Sequence, residues 1–133
     1  MLAGSTTKKG NNAMRRLLVA AMMATACAQA VAADGNELYG WLTSPDPMIQ
    51  MRALGYVQGV LDQDHFSGEA EKFLVAKGAP ASPMKHACRP NGQTGQQIVD
   101  IVRRELEKHP EDRTEPGAQI VWGVFVTAFP CRS

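Results

Sequence analysis

The residues best suited to chemistry are His86, Cys88 and Cys131. In His86-Ala87-Cys88 an imidazole lies two residues from a thiol, the ingredients of a base-activated sulfur nucleophile. With His109 added, the same thiols would complete a zinc ligand set. Both chemistries require reduced sulfur, so the compartment decides between them and a disulfide.

A second cluster, Asp62-Gln63-Asp64-His65, resembles the opening of a calcium loop. Such a loop requires a third oxygen ligand, a glycine at its sharp turn and a closing glutamate, and here Phe66, Ser67 and Phe73 stand in those places. The acids read instead as a solvated helix end. They sit badly with the negative end of a helix dipole, which hints at a binding use. The chain has no G-x-S-x-G elbow, no phosphate-cradling glycine loop and no histidine pair at helical spacing.

The compartment is legible at the N-terminus. Arg15 and Arg16 form a basic start, Leu17 to Ala28 an uncharged apolar run, and Ala30-Val31-Ala32 a small-residue cleavage site. The pattern predicts a secretory signal peptide cut after Ala32. Residues 1–13 precede a second methionine, Met14, and are an extended leader or an upstream start. An uncleaved anchor is disfavoured because the apolar run is too short to span a bilayer. A lipoprotein site at Cys27 lacks the large aliphatic residue usual three positions earlier, where Ala24 stands.

Removal of residues 1–32 takes Cys27 with it and leaves Cys88 and Cys131 as a pair in an oxidising compartment. A disulfide cysteine beside an exposed loop histidine is therefore the expectation, in place of a catalytic thiol or zinc. It closes a loop of about 44 residues, worth roughly 4 kcal/mol by the chain-entropy argument. The leader also carries four of the fourteen basic residues and no acid. The mature chain thus has ten basic against thirteen acidic residues, a formal charge of −3. It shows no basic patch with interleaved aromatics and no further apolar span, so neither nucleic acid nor a membrane is expected as a partner.

The 101 residues from 33 to 133 suffice for one small domain, and their periodicity is helical. A short first helix carries Leu38, Tyr39, Trp41 and Leu42 and ends near Ser44. Asp46 and Pro47 are suited to the cap and first turn of a second helix, predicted over 47–64. On it, Gly55 and Gly59 mark either a seam for another helix's backbone or a locally weakened, solvent-facing stretch. Gly68, Gly78, Pro80, Pro83, Pro90 and Gly92 predict a long irregular loop over 67–92, with a short helix over 69–77. Thr94 and Gln97 have capping-box spacing before a third helix ending at His109-Pro110, with Asp100 and Arg104 as an i,i+4 pair. The last helix, from about Pro116 to Phe129, is apolar on nearly every side and predicts a central, buried element. Trp41, Tyr56 and Trp122 are expected to pack into the core. The fold class is all-α, a bundle of about four helices.

Several stretches together resemble one family. They are Leu38-Tyr39-Gly40-Trp41-Leu42, Ala53 to Val60, Cys88-Arg89-Pro90 with Gly95-Gln96-Gln97, His109-Pro110-Glu111, and Ala128-Phe129-Pro130-Cys131. Their order and spacing are similar to the Rap/Tai-type immunity proteins across nearly the whole mature chain. The resemblance implies a small secreted helical protein that protects a cell from peptidoglycan amidase effectors of type VI secretion. It implies occlusion of the amidase's Cys–His cleft by a surface element, often from a dimer, without enzyme activity or cofactor. No inhibitory motif carries over to particular residues. Topology and charge point to Asp62, Asp64, His65, Phe66 and Glu69 as partner contacts. The alternative is a periplasmic helical adaptor or chaperone-like protein with no toxin partner; an enzyme would require His65, His86 or His109 beside an acid in a pocket.

Overall fold

A computed structural model of the chain describes residues 32–131. The expected signal peptide, with its cut after Ala32 and Cys27, lies outside the described residues apart from Ala32 itself. Residues 33–131 form four α-helices: α1 (Gly35–Leu42), α2 (Pro47–Ala76), α3 (Gly95–Lys108) and α4 (Gly117–Ala128). A 3-10 turn, Pro110–Thr114, joins α3 to α4. Among the described residues there is no strand, only two isolated bridges, Asp34 with Pro116 and Ala87 with Pro130. None of these helices is long and apolar enough to cross a membrane.

The helix starts follow local hydrogen-bond chemistry. Asp34 and Asp46 accept from the amides of Glu37 (2.8 Å) and Met48 (2.9 Å), satisfying donors the first turn leaves free. Thr94 and Gln97 close the expected capping box, with Gln97 N–H donating to Thr94 Oγ1 and Thr94 N–H to Gln97 Oε1. On α3, Asp100 pairs with Arg103 at 3.2 Å and not with Arg104. The Arg104 guanidinium instead donates to the Asp100 carbonyl, so the expected i,i+4 pair is replaced by an i,i+3 pair.

The core is built where the apolar stripes meet: Leu38 from α1, Val57 and Leu61 from α2, Ile98, Val102 and Leu106 from α3, and Val121 and Phe125 from α4. The last helix is less enclosed than its composition predicts. Val121 and Phe125 are buried, whereas Trp122, Val124 and Val126 are half-buried because only one side of α4 faces the other helices. Trp41 and Tyr56 meet edge-on at the margin of this core, ring centroids 5.7 Å apart. The segment leading into α1 is tied to the start of α4 by reciprocal bonds, Gly35 N–H to Glu115 O and Gly117 N–H to Ala33 O. A Cβ on Gly35 would lie 2.7 Å from the Arg113 backbone, so this approach requires glycine.

The largest departure from expectation is the length of α2. It runs 30 residues, through the segment expected to be irregular. Ser67 donates back to the Gln63 carbonyl at 2.8 Å, and Gly68 leaves the helix intact. The true stop is Gly78, whose φ of 95° suits glycine. Gly78 N–H bonds to Val75 O and Ala79 N–H to Leu74 O, the paired bonds of a Schellman termination. Gly55 and Gly59 are exposed, and a Cβ on either would meet nothing within 4 Å. No helix approaches there, so the solvent-facing alternative describes them.

Candidate functional site

The buried residues of α2 are Ala53, Val57, Leu61 and Asp64. Beyond Asp64 the helix leaves the core as an arm, and residues 79–87 return along it toward the bundle. Two carboxylates, spaced i,i+7 and therefore on one side of the helix, hold this return segment. Asp64 Oδ1 is 2.9 Å from His86 Nδ1, and Asp64 Oδ2 accepts from Ala87 N–H at 2.9 Å. Glu71 Oε2 is 3.2 Å from His86 Nε2, and Glu71 Oε1 accepts from Ser82 N–H at 2.8 Å. Both oxygens of both acids are engaged.

Gly68 explains how His86 comes so close. A Cβ at position 68 would sit 3.3 Å from His86 Cγ, so the missing side chain seats the ring against the helix. Glycine in a helix costs about 1 kcal/mol relative to alanine, and here the bonds at His86 offset it. His86 is therefore no exposed loop histidine: its side chain is 17% exposed. Burial by itself would lower its pKa, but hydrogen bonds and charge from Asp64 and Glu71 outweigh burial and raise it.

The far end of the segment is anchored separately. Cys88 and Cys131 form the disulfide expected from the cysteine pattern, with Cα atoms 4.8 Å apart. Cys88 N–H donates to Phe129 O at 2.8 Å, and the Trp122 indole N–H donates to Lys85 O at 3.2 Å. Cys131 Sγ rests 3.2 Å from the His86 carbonyl. With its sulfur in the disulfide, His86-Ala87-Cys88 is a structural tie and offers no thiolate. Among the described residues, no three His, Cys, Asp or Glu side chains are arranged to hold a metal ion.

The five residues expected to meet a partner divide. Asp62, His65, Phe66 and Glu69 are exposed on the arm, and Glu69 also bonds Lys72 at 2.7 Å. Asp64 is 8% exposed and spent on His86 and Ala87, so its place is inside the arm and not on its surface. Asp62, Phe66, Glu69 and Phe73 follow the three- and four-residue steps of one outward stripe. Phe66 is 67% exposed, and Phe73, Leu74 and Met84 are also open. Between the arm, the return segment and the end of α4 runs an open groove of about 630 Å³, bordered by His65, Lys72, Val75, Met84, Lys85 and Val126. Sequence reasoning missed Glu71 and placed His86 on an exposed loop because it broke the helix at Gly68. The signal was Asp64 and Glu71 two turns apart, visible once the helix is continuous.

The family model for Rap1a immunity proteins matches residues 24–131, most of the chain. No curated protein and no solved structure matches it. The match spans well over half of the chain and decides the family. The chain belongs to the Rap1a immunity protein family, proteins that act by immunity against a toxin partner.

Proposed function

We propose that the protein works in the periplasm, binding a type VI peptidoglycan amidase and occluding its cleft, so that the producing cell's wall is spared. The observation carrying this reading is the arm: a helix continuing beyond its own core, with Phe66, Phe73, Leu74 and Met84 exposed and the return segment fastened to it. Exposed aromatics on a rigid element suit the centre of an interface, because little conformational entropy is lost when they are buried. Asp62, His65 and Glu69 supply a polar rim around Phe66. Asp64 acts indirectly, by holding the return segment. Inhibition by occlusion requires no catalytic group and no cofactor. The similarity to Rap/Tai-type proteins and the signal-like N-terminus support the periplasmic location and the amidase target.

A second copy fits the same helix nearer the bundle, where Met48 and Met51 are exposed and Gly55 and Gly59 leave the backbone uncovered. Sedimentation of the mature protein tests that pairing, and a monomer at micromolar concentration would remove it.

The main test uses a secreted Cys–His amidase, sought first in the gene next to this one. Purified mature protein should stop its release of stem peptides from peptidoglycan at one-to-one stoichiometry, and charge reversal at Asp62 and Glu69 should weaken the inhibition. Undiminished amidase turnover at excess immunity protein would refute the amidase reading. Recovery of several unrelated envelope clients in place of one would favour a chaperone-like adaptor.

A further inference from the structure

Both ring nitrogens of His86 face carboxylate oxygens, Nδ1 toward Asp64 and Nε2 toward Glu71. An ionised carboxylate only accepts, while a neutral imidazole has one N–H and one lone pair. Either neutral tautomer would therefore aim its lone pair at a carboxylate oxygen. Only the imidazolium donates in both directions. The remaining oxygens cannot relieve the conflict cheaply, because Ala87 N–H and Ser82 N–H already occupy them.

We infer that His86 is a proton-operated positioning residue: as an imidazolium it staples the return segment to α2, and loss of its proton lets that segment lift. The groups around it are few. From α2, Asp64 and Glu71 touch the ring, while His65, Glu69 and Lys72 line the same groove. The return segment contributes the cationic Lys85; α4 and the residues after it contribute Val126, Pro130 and the disulfide sulfur of Cys131, three groups without a titratable proton. Two carboxylates against one imidazolium leave the contact cluster at −1; without the proton it stands at −2, with the acids facing a lone pair.

The direction of the pH dependence follows. Because the folded pKa of His86 is raised, its stabilisation is complete below the ordinary histidine pKa and is lost as pH rises through the folded value. The consequence is local. Cys88 stays bound through the disulfide and Phe129, and Gly78 and Ala79 remain bonded to the end of α2. The segment between them carries Met84 and one wall of the groove, so the proton governs whether that wall is in place. This inference stands independently of the toxin's identity.

Two readouts test it on the mature, oxidised protein. Nitrogen-15 NMR of the histidine rings should show both His86 nitrogens protonated below the ordinary histidine pKa and a midpoint above that of a free histidine side chain. In a Trp41→Phe background, Trp122 becomes the sole tryptophan, and its bond to Lys85 O makes its fluorescence report the segment's docking. That signal should change with the His86 midpoint and lose its inflection in His86→Gln, whose amide does not titrate. Should that variant fail to fold, Glu71→Gln serves, lowering the midpoint of both readouts together. A His86 midpoint at or below the free value, or a Trp122 signal flat across the His86 titration, overturns the inference.

Discussion

The bundle and the arm are held together by different physics. In the bundle, eight buried apolar side chains from four helices interlock, and removal of apolar surface from water is the main favourable contribution. In the arm, no residue of α2 beyond Asp64 is buried; shape there depends on two carboxylates, one imidazole, two backbone amides and a disulfide. An apolar core tolerates approximate geometry and sets stability. A polar staple demands fixed geometry and sets the presentation of a surface, leaving the large side chains around it free for a partner.

Substitutions can separate these roles. Phe125→Ala opens the fully buried centre and should cost about 3–5 kcal/mol in urea unfolding. A loss below about 1 kcal/mol would mean that the bundle is not the source of stability. Replacing Cys88 and Cys131 together by serine should cost roughly 2–4 kcal/mol and lower the thermal midpoint, while helix content by circular dichroism stays native at low temperature. Phe66→Asp lies at the opposite pole: unfolding should shift by no more than about 0.5 kcal/mol, while toxin affinity falls by about 30-fold or more. Unchanged affinity would move the contact surface off the arm.

Asp64→Asn should cost roughly 1.5 kcal/mol globally and strip amide-exchange protection from Ala87, with protection at Val102 retained. Loss at both positions together would show that arm and bundle unfold as one unit. The smallest effect has the opposite sign: Gly59→Ala should stabilise by a little under 1 kcal/mol, since its Cβ enters open space on a helix. Destabilisation there would mean that a second copy covers this face in solution.

The two regions also differ in how far their sequences disclose them. Asp46-Pro47, the Thr94–Gln97 box and the stripes containing Val57, Ile98 and Val102 act within a few residues, so pattern and capping chemistry locate α1, α3, α4 and the start of α2. The arm is set by pairings 11 to 23 residues apart, Ser82 to Glu71 and Ala87 to Asp64, which no local window contains. Gly68 misled for a physical reason. Local propensity marks it as a breaker, whereas its function is to make room for a ring from another part of the chain. The cysteine pair was legible because compartment and count constrain it before any fold is known.

The disulfide joins two residues that both follow the return segment. A protease cutting the exposed stretch 80–85 would therefore produce two pieces with no covalent link, residues up to the cut carrying α1 and α2, and a cyclised remainder carrying α3 and α4. Such a nicked molecule is a heterodimer of its own halves. Its integrity would depend on concentration, and dilution would separate the arm from half of its core, a mode of inactivation that an intact chain never experiences.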